Sequence, residues 1–421
     1  MNLVFVFFIV VAFATACWQQ LNWQPLDLNT PSPLQSLTEN MISTSSDAIT
    51  LAIGLVGVMC LFLGVMKIAE DSGLVKVIGK LLYPLLVKLF PEVPQGHPAM
   101  GAMVMNLSAN VLGLGNAATP FGIKAMQGLN QLNPYPGVAS NAMILFLAIN
   151  TSSVTLLPIK VIAIRAAAGS SDAAAIIPTT LFATLCSTLV AIFVAKLLNK
   201  WLHPTLKPSE PAVPLEPFPT EKPYSVWICG LAMIGILSLF PLTILYGQTF
   251  GHWIIPSLLT ALVLYASFKR VKVYEAFTTG AKEGFDVAVK IMPFLVAMLM
   301  AIGMFRISGA MDVFIDWVSP FTNAIGLPAE ALPMAIMRPL SGSGSLGILA
   351  ETLNNPAIGP DSYTGYLVST IMGSTETTFY VLAVYFGAVQ VKRYRHALIP
   401  ALIADFAAVL ASVFIVSRVF N

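Results

Sequence analysis

Charged residues are scarce in this chain: 22 Lys and Arg together with 20 Asp and Glu make up only 10% of its 421 residues. A soluble domain carries about 25% charged residues, so this chain has too little polar surface to cover a soluble fold. Its formal net charge of +2 gives no bulk attraction for phosphate. The shortage argues against a soluble enzyme, a disordered chain and a nucleic-acid binder. The 57% share of hydrophobic residues predicts an all-α integral membrane protein.

Residues that carry metal or redox chemistry are also few. The chain has four cysteines and four histidines, with no C-x-x-C pair, no HExxH motif and no Walker motif. We therefore predict no metal site, no cofactor and no enzymatic activity. A membrane enzyme, such as one that modifies lipids, is the least favoured alternative because no nucleophile, base or metal set is clustered.

Long apolar runs, in contrast, are abundant. A helix needs about 20 apolar residues to cross the hydrocarbon core. Candidate spans lie at 48–66, 139–166, 175–198, 224–246, 250–268, 286–306, 363–389 and 396–418. The shorter run at 2–17 lacks the preceding positive charge of a signal peptide, so we predict a retained first helix and about nine transmembrane helices in total.

Two further apolar stretches, 98–122 and 328–349, are rich in Gly, Ser, Asn and Pro near their centres. Non-helical backbone survives at membrane depth only where protein buries it or where it lines a watery cavity. Each stretch therefore predicts a re-entrant helical hairpin. A complete helix with small residues for close packing is the alternative.

Basic residues fall in four clusters, which hold 15 of the 22 Lys and Arg residues. The clusters lie within 67–88, 196–222, 269–282 and 392–395, whereas the predicted loop at 18–46 has none. The positive-inside rule places all four in the cytoplasm if both hairpins are re-entrant. We therefore predict a multi-pass protein of the cytoplasmic (inner) membrane, with its amino end cytoplasmic and its carboxyl end outside. Lys160 and Arg165, in the outer part of their span, are expected to snorkel.

A Pro-rich segment at 203–223 divides the chain into two halves that resemble each other. The predicted units are 1–202, the cytoplasmic linker 203–223, a joining transmembrane helix at 224–246, and 247–421. Each half has a span end (Lys67 or Arg306) followed by Ser-Gly, then a hairpin, then a span interrupted by hydroxyl residues. The charge pattern orients the halves oppositely. Inverted repeats with interrupted helices are typical of secondary transporters, whose substrate site lies near the bilayer midplane.

Longer motifs carry a resemblance to known families. The first half, through Asn106-Leu-Ser-Ala-Asn110 and Gly113-Leu-Gly-Asn-Ala-Ala-Thr-Pro120, resembles the spore maturation protein A family. The second half, through Arg338-Pro-Leu-Ser-Gly-Ser-Gly344 and Gly373-Ser-Thr-Glu-Thr-Thr-Phe-Tyr380, resembles the spore maturation protein B family. The chain thus resembles a natural fusion of the two, and both belong to the nucleoside recognition, or Gate, domain group.

Together, the pattern and the resemblance predict a secondary transporter that moves a small polar or anionic solute, nucleoside-like or carboxylate, by alternating access. Coupling to H⁺ or Na⁺ is left open, as is self-association into a homo-oligomer. The expected partners are a small-molecule substrate and the lipid bilayer, with no nucleic acid. The alternative is a non-transporting membrane scaffold or regulator in envelope or spore maturation.

Polar residues in the hairpins and interruptions are the candidate site residues. Those for substrate binding are Asn106, Ser108, Asn110, Asn116, Thr119, Arg338, Ser341, Ser343, Ser345, Ser374, Thr375, Glu376 and Thr377. Those for a coupling ion are Asn150, Thr151, Ser152, Glu376 and Asp405.

Glu376 is the strongest single candidate, because a carboxylate near the bilayer centre costs about 3 kcal/mol and needs a reason to be there. It could bind a coupling ion or a substrate, or only hold two helices together. Arg338, beside a Gly-Ser backbone, could bind an anion or simply pair with Asp405. The hairpin amides and the hydroxyls at the first interruption could contact solute or Na⁺, or could satisfy buried backbone.

Overall fold

The computed structural model describes residues 2–24, 31–94, 96–113, 115–202 and 259–420, with a few residues between 224 and 257. The described chain is helical and contains no strand, only one isolated bridge between Val138 and Arg393. The helices of the first half are α1 (Asn2–Leu21), α2 (Pro33–Asp71), α3 (Leu74–Leu89), α4 (Pro98–Val111), α5 (Gly115–Gln131), α6 (Asn141–Ser152), α7 (Ile159–Ala167) and α8 (Ile177–Trp201).

The second half has its helices in the same order, beginning with α9 (Leu259–Phe268). Its helices are α10 (Val273–Ile307), α11 (Ala310–Asn323), the short 3₁₀ helix Ala329–Ala331, α12 (Leu332–Leu340), α13 (Gly342–Asn354), α14 (Tyr363–Ser374), α15 (Thr378–Ala388) and α16 (Leu398–Val419). The predicted linker at 203–223 and most of the predicted joining helix at 224–246 lie outside the described residues.

The start of α2 corrects the predicted loop at 18–46. Helix α2 begins at Pro33, behind a Ser32 side chain that accepts a hydrogen bond from the backbone N–H of Gln35. A Ser cap followed by Pro is a strong helix start. The hydroxyls of the first turns stay compatible with the helix because they donate to its own carbonyls, as Ser45 does to Met41 at 2.7 Å.

Within the described residues, four helices are long and apolar enough to cross a membrane: α2, α8, the broken helix Tyr363–Ala388 and α16. They match the predicted spans 48–66, 175–198, 363–389 and 396–418. A fifth candidate is the bent pair Leu295–Ile307 and Ala310–Trp317. The described residues therefore contain several apolar helices, in agreement with the predicted membrane class, while the count of nine stays a prediction.

Both predicted interruptions are breaks in the backbone, and each predicted hairpin stretch contains two packed helices, while the re-entrant course of the hairpins stays a prediction. Helix α6 ends at Ser152 and α7 begins at Ile159, leaving break 1 (153–158); α14 ends at Ser374 and α15 begins at Thr378, leaving break 2 (375–377). Helices α4 and α5 pack together as hairpin 1, and α12 and α13 as hairpin 2. Ser153 in break 1 has a φ of 23°, a conformation that regular helices do not contain.

The Ser-Gly motifs form the same turn in the two halves. Ser72 and Ser308 each donate a side-chain hydrogen bond to a carbonyl three residues earlier. Gly73 and Gly309 follow with φ values of 77° and 73°, in the left-handed region that favours glycine. Aligning these turns places Arg306 opposite Glu70, so the predicted equivalence of Arg306 with Lys67 is wrong by three residues.

Equivalent helices of the two halves pack against each other in opposite directions. Gly303, near the end of α10, lies against Asn40 near the start of α2, whereas Gly280 lies against Leu63. In the same way Phe182, early in α8, contacts Phe414, late in α16, with ring centroids 6.0 Å apart. Helix α6 packs on α8 and α16, and its counterpart α14 packs on α16 and α8. The broken helices thus sit at the centre of a pseudo-symmetric bundle.

A buried arginine joins the halves at one end of the bundle. Arg165 is fully buried, donates to the Pro360 carbonyl at 2.7 Å and pairs with Asp361 at 2.9 Å. Its guanidinium also stacks on Tyr366, and the Ser170 hydroxyl donates to Asp361 at 2.6 Å. The expectation that Arg165 snorkels is wrong, because these partners from the other half satisfy it inside the protein.

A matching contact joins the halves at the opposite end. Arg395 donates at 3.0 Å both to the Ala139 carbonyl and to the side-chain oxygen of Asn141. His396 Nε2 lies 2.8 Å from the side-chain oxygen of Asn199. Arg165 and Arg395 thus lie at or just after the end of one broken helix and reach residues at the start of the other half's broken helix.

Candidate functional site

The two breaks meet at one point inside the bundle. The backbone N–H of Glu376, in break 2, donates a 2.8 Å hydrogen bond to the carbonyl of Thr151, at the end of α6. A helix that stops leaves its last carbonyls without intrahelical partners. Here the other half's break supplies one of the donors, so the two interruptions satisfy each other.

Hairpin 1 reaches this point through two amides. Asn110 donates to the side-chain oxygen of Asn150 at 2.9 Å. Asn106, fully buried, donates to the Ala118 carbonyl at 2.8 Å and to the Tyr385 hydroxyl at 3.0 Å. Each amide has a hydrogen-bond partner within the protein, so the pairing joins hairpin 1 to α6 and α15.

Hairpin 2 places a positively charged side chain, Arg338, next to break 2. Arg338, at the end of α12, has a 7% exposed side chain; it donates to the Thr377 hydroxyl at 3.1 Å and lies 3.9 Å from the Glu376 carboxylate. The Glu376 side chain is 47% exposed, so this pair connects a buried cation with an accessible acid. A guanidinium presents a fork of donors that suits carboxylate and phosphate groups.

Asp405 approaches break 2 from α16. It is buried, and one of its carboxylate oxygens accepts a 2.7 Å hydrogen bond from the Thr378 hydroxyl. No direct ion pair joins Asp405 to Arg338 among the described residues; adjacent hydroxyls, Thr377 and Thr378, separate them. At the equivalent position of α8, Thr184 donates to the carbonyls of break 1, so only the second half has an acid at this position.

Several predicted site hydroxyls are satisfied by backbone carbonyls of their own helices. Ser108, Thr151, Ser152 and Ser374 each donate to a carbonyl three or four residues earlier in the same helix. At the tip of hairpin 2, Ser341 caps α13 by accepting from Gly344, and Ser345 donates back to the Ser341 carbonyl. The hydroxyl oxygens of Ser343 and Ser341 lie 3.4 Å apart.

Three further candidate residues lie in break 2 and in hairpin 1. Thr375 is buried in break 2, and Thr119 is half-buried in hairpin 1. The side chain of Asn116 lies outside the described residues. The binding roles of these three residues, like those of the other candidates, stay predictions.

Some buried polar atoms near the breaks and hairpins have no hydrogen-bond partner among the described residues. They include Arg338 Nε, Asp405 Oδ1, Asn106 Oδ1 and Thr180 Oγ1. A buried polar group without a partner costs about 1–3 kcal/mol, and proteins usually retain such groups for a functional reason. One free donor on Arg338 and one free acceptor on Asp405 could hydrogen-bond a polar solute.

Sequence reasoning missed two residues that complete this region. Tyr385 is buried, stacks on Phe146 and bridges Asn106 to Asn150. Thr184 holds the carbonyls of Ser152 and Ser153. An isolated Tyr or Thr in an apolar helix gives no local signal. Comparing α8 with α16 position by position would have pointed to Thr184, because it stands where α16 has Asp405.

The chemistry available here is binding by hydrogen bonds and charge. Among the described residues no group of three or more His, Cys, Asp and Glu is placed to hold a metal ion. The region offers one cation, two acids, and hydroxyl and amide groups at the junction of two hairpins and two broken helices.

Comparison with known proteins adds three findings. A family profile described as "Gate: Nucleoside recognition" matches residues 52–168 and 288–392, more than half of the chain. "Spore maturation protein B" of Bacillus subtilis (strain 168) is 46% identical over 167 residues, which is 40% of this chain and 93% of that protein. "Spore maturation protein A" of the same organism is 47% identical over 161 residues, 38% of this chain and 82% of that protein.

The two relatives match different parts of the chain, which is consistent with a fusion. Among solved structures, the crystal structure of the Alcanivorax borkumensis YdaH transporter aligns over 98% of this chain and 97% of that one. Its TM-score is 0.39 and its sequence identity 15%, too slight a likeness to support a conclusion.

Proposed function

Because this chain belongs to the Gate, or nucleoside recognition, family and has the apolar helices of a multi-pass membrane protein, we propose that it is a secondary transporter. It moves a small polar or anionic solute by alternating access between the two faces of the membrane. The solute is nucleoside-like or a carboxylate. Arg338 receives its negative or electron-rich part, and Asp405 accepts a hydrogen bond from it.

The observation that supports this proposal is the meeting of the two breaks at Glu376 and Thr151, flanked by Arg338 from hairpin 2 and Asn110 from hairpin 1. Irregular backbone and a buried charge both need strong compensation in a membrane interior. Their concentration at one junction of oppositely oriented repeats favours a solute pathway over a purely structural role.

We propose H⁺ rather than Na⁺ as the coupling ion. Glu376 and Asp405 give the centre two acids for one guanidinium. A proton on one acid would balance the charge when a neutral solute binds.

In the membrane, we propose that both hairpins are re-entrant, that nine helices span the bilayer, and that the amino end is cytoplasmic. A chain with its native cysteines replaced and a single new cysteine tests the orientation. Ser32→Cys should react with an impermeant maleimide from outside, and Lys200→Cys only after permeabilisation. The reverse pattern would overturn the orientation.

Transport itself is tested by uptake and counterflow in proteoliposomes with radiolabelled nucleosides, dicarboxylates and amino acids. For a transported solute, Arg338→Gln and Glu376→Gln should each lower the initial flux at least about tenfold, as expected from losing a charge-assisted hydrogen bond. Exposed residues of the same types supply matched controls, Arg393→Gln and Glu330→Gln, which should keep the parent flux.

The same proteoliposomes test whether uptake is coupled to H⁺ and whether the protein is instead a membrane scaffold. An imposed pH gradient should drive uptake in the parent and not in Asp405→Asn, whereas drive by a Na⁺ gradient alone would refute H⁺ coupling. Absence of flux for every solute, together with a stable envelope partner on pull-down, would favour a membrane scaffold instead.

A further inference from the structure

The pseudo-symmetry of the bundle fails in two places. Helix α10 packs along α13, the second arm of hairpin 2, but its counterpart α2 makes no comparable contact with α5, the second arm of hairpin 1. Conversely, α2 packs on α7, whereas α10 makes no comparable contact with α15. Among the described helices, the antiparallel pair α2–α10 therefore packs against α7 and α13. It does not pack against α15, the equivalent of α7, or against α5, the equivalent of α13.

An ion pair joins α10 and α13 where these two helices pack together. Arg306, in the last turn of α10, forms a salt bridge with Glu351 in α13, whose side chain is only 13% exposed. This contact fastens α10 to hairpin 2 at the end where α10 and α13 meet.

The equivalent positions of the first half carry the opposite charges. Alignment of the two Ser-Gly turns places Glu70 opposite Arg306, and alignment of the first residues of α5 and α13 places Lys124 opposite Glu351. The first half thus has an acid on α2 and a base on α5, where the second half has a base on α10 and an acid on α13. A pair with inverted signs can form the same contact.

In this structure the first-half pair is not formed. Glu70 is exposed and bonds to Lys67 on its own helix at 3.1 Å, and Lys124 is exposed on α5. The side chain that would close this end is therefore engaged in a local i, i+3 pair, which contributes only a few tenths of a kcal/mol in an exposed helix. Such a pair is easily exchanged for another partner.

We propose that Glu70 and Lys124 form the counterpart of the Arg306–Glu351 salt bridge in the opposite conformation of the protein. Two repeats of one architecture and opposite orientation can exchange conformations, and each then adopts the packing that the other has now. In that state α2 packs along α5 and α10 packs on α15. The Arg306–Glu351 pair opens while the Glu70–Lys124 pair closes the other end.

This inference rests on the proposed alternating access, but its test does not need a known solute. In membranes containing the chain without native cysteines, the pair Glu70→Cys and Lys124→Cys is oxidised with copper phenanthroline and the rate of disulfide formation is measured. Adding Arg306→Glu, which repels Glu351, should raise that rate at least about threefold, the shift expected from losing a partly exposed ion pair.

A matched pair controls for folding and general mobility. Ser187 on α8 and Ala404 on α16 are in contact, because the Ser187 hydroxyl donates to the Ala404 carbonyl at 2.9 Å. These two helices are equivalent in the two halves and pack on each other. Ser187→Cys with Ala404→Cys should oxidise readily and at a rate that Arg306→Glu leaves unchanged. Normal oxidation of this pair with no oxidation at positions 70 and 124, or with no response there to Arg306→Glu, would overturn the proposal.

Charge exchange gives a second readout once a solute is found. Glu70→Lys and Lys124→Glu should each slow flux severalfold, and the double variant should recover most of it; no recovery would contradict a direct pairing. Absent flux in the parent counts against transport alone and leaves the oxidation test standing. Flux without any 70–124 contact overturns this inference alone.

Discussion

The hydroxyl of Tyr385 donates a 3.2 Å hydrogen bond to the side-chain oxygen of Asn150, although 235 residues separate them in the chain. The same hydroxyl accepts from Asn106 at 3.0 Å. One phenol oxygen therefore connects hairpin 1, the first broken helix and the second broken helix. The contact is buried, so water cannot replace either bond.

Replacing Tyr385 with Phe should remove this connection while keeping the ring that stacks on Phe146. Asn106 retains one other partner and Asn150 retains two, so the expected loss is about 1–2 kcal/mol of folding free energy. Thermal unfolding in detergent measures it. Tyr380→Phe, on the same helix with a 59% exposed side chain, is the control and should be neutral. Equal effects of the two variants would show that the bridge contributes nothing.

Gly113, in the turn of hairpin 1, should not tolerate a side chain. Its φ is +78°, and an added Cβ would lie 2.6 Å from the Leu157 carbonyl oxygen of break 1. Gly113→Ala should cost about 3 kcal/mol, from left-handed strain plus displacement of the break. Gly137→Ala isolates the strain, because Gly137 has a similar φ of +73° and no neighbour within 4 Å. That control should cost only about 1 kcal/mol.

The stability that the Arg165–Asp361 pair contributes should fall as the pH is lowered. Burial raises the pKa of Asp361, but hydrogen bonds from Ser170 and Ser171 and the charge of Arg165 outweigh it, so the pKa lies below its ordinary value of 3.8. The folded state therefore binds the proton more weakly than the unfolded state. The stability from this carboxylate is complete at neutral pH and is lost as the pH falls below about 4.

Asp361→Asn should lower the unfolding temperature already at pH 7, because Arg165 stays buried without its counter-charge. Breaking a buried pair costs about 3 kcal/mol, and somewhat less here because Asp361 is partly exposed. Asp71→Asn, which removes an exposed partner of Lys67, should cost well under about 1 kcal/mol. Similar losses for the two variants would contradict a special role for the Arg165 contact.

His396 should make the protein sensitive to mild acid. Burial, followed by the neighbouring charge of Arg395, lowers the pKa of His396 to about 4. Between pH 6.5 and 4 the unfolded state takes up a proton that the folded state refuses, so stability should fall across this range. His396→Gln keeps a polar atom near Asn199 and should flatten this part of the pH profile. An unchanged profile would exclude His396 as its source.

The sequence predicted those features of the fold that depend on local chemistry. Hydroxyl runs in apolar spans marked both breaks, and Gly-Ser-Pro composition marked both hairpins, because neither pattern is compatible with a continuous helix. It failed at Arg165, where partners come from a loop almost 200 residues away. It failed also at the start of α2, because residues 18–46 were predicted as a loop between two apolar spans although Ser32 and Pro33 start a helix there.

For the candidate site, the sequence indicated which polar residues lie at the breaks and hairpins, but not which groups they contact. Arg338 was expected to bind an anion or to pair with Asp405, but its guanidinium lies 3.9 Å from the Glu376 carboxylate, and Asp405 accepts a hydrogen bond from the Thr378 hydroxyl instead. The hairpin serines were candidates for solute contact, yet Ser341 caps a helix. Partner choice among polar groups depends on side-chain directions that one-dimensional patterns do not contain.

The hydrogen bond between Glu376 and Thr151 holds the two breaks together, which limits how a solute would cross the membrane. Both breaks, both hairpins and the supporting helices α8 and α16 are tied into one block, while the pair α2–α10 stands beside that block. All predicted binding groups belong to the block. In the proposed exchange, the binding chamber would remain assembled throughout and shift relative to a fixed two-helix wall, so affinity could stay constant while access changes.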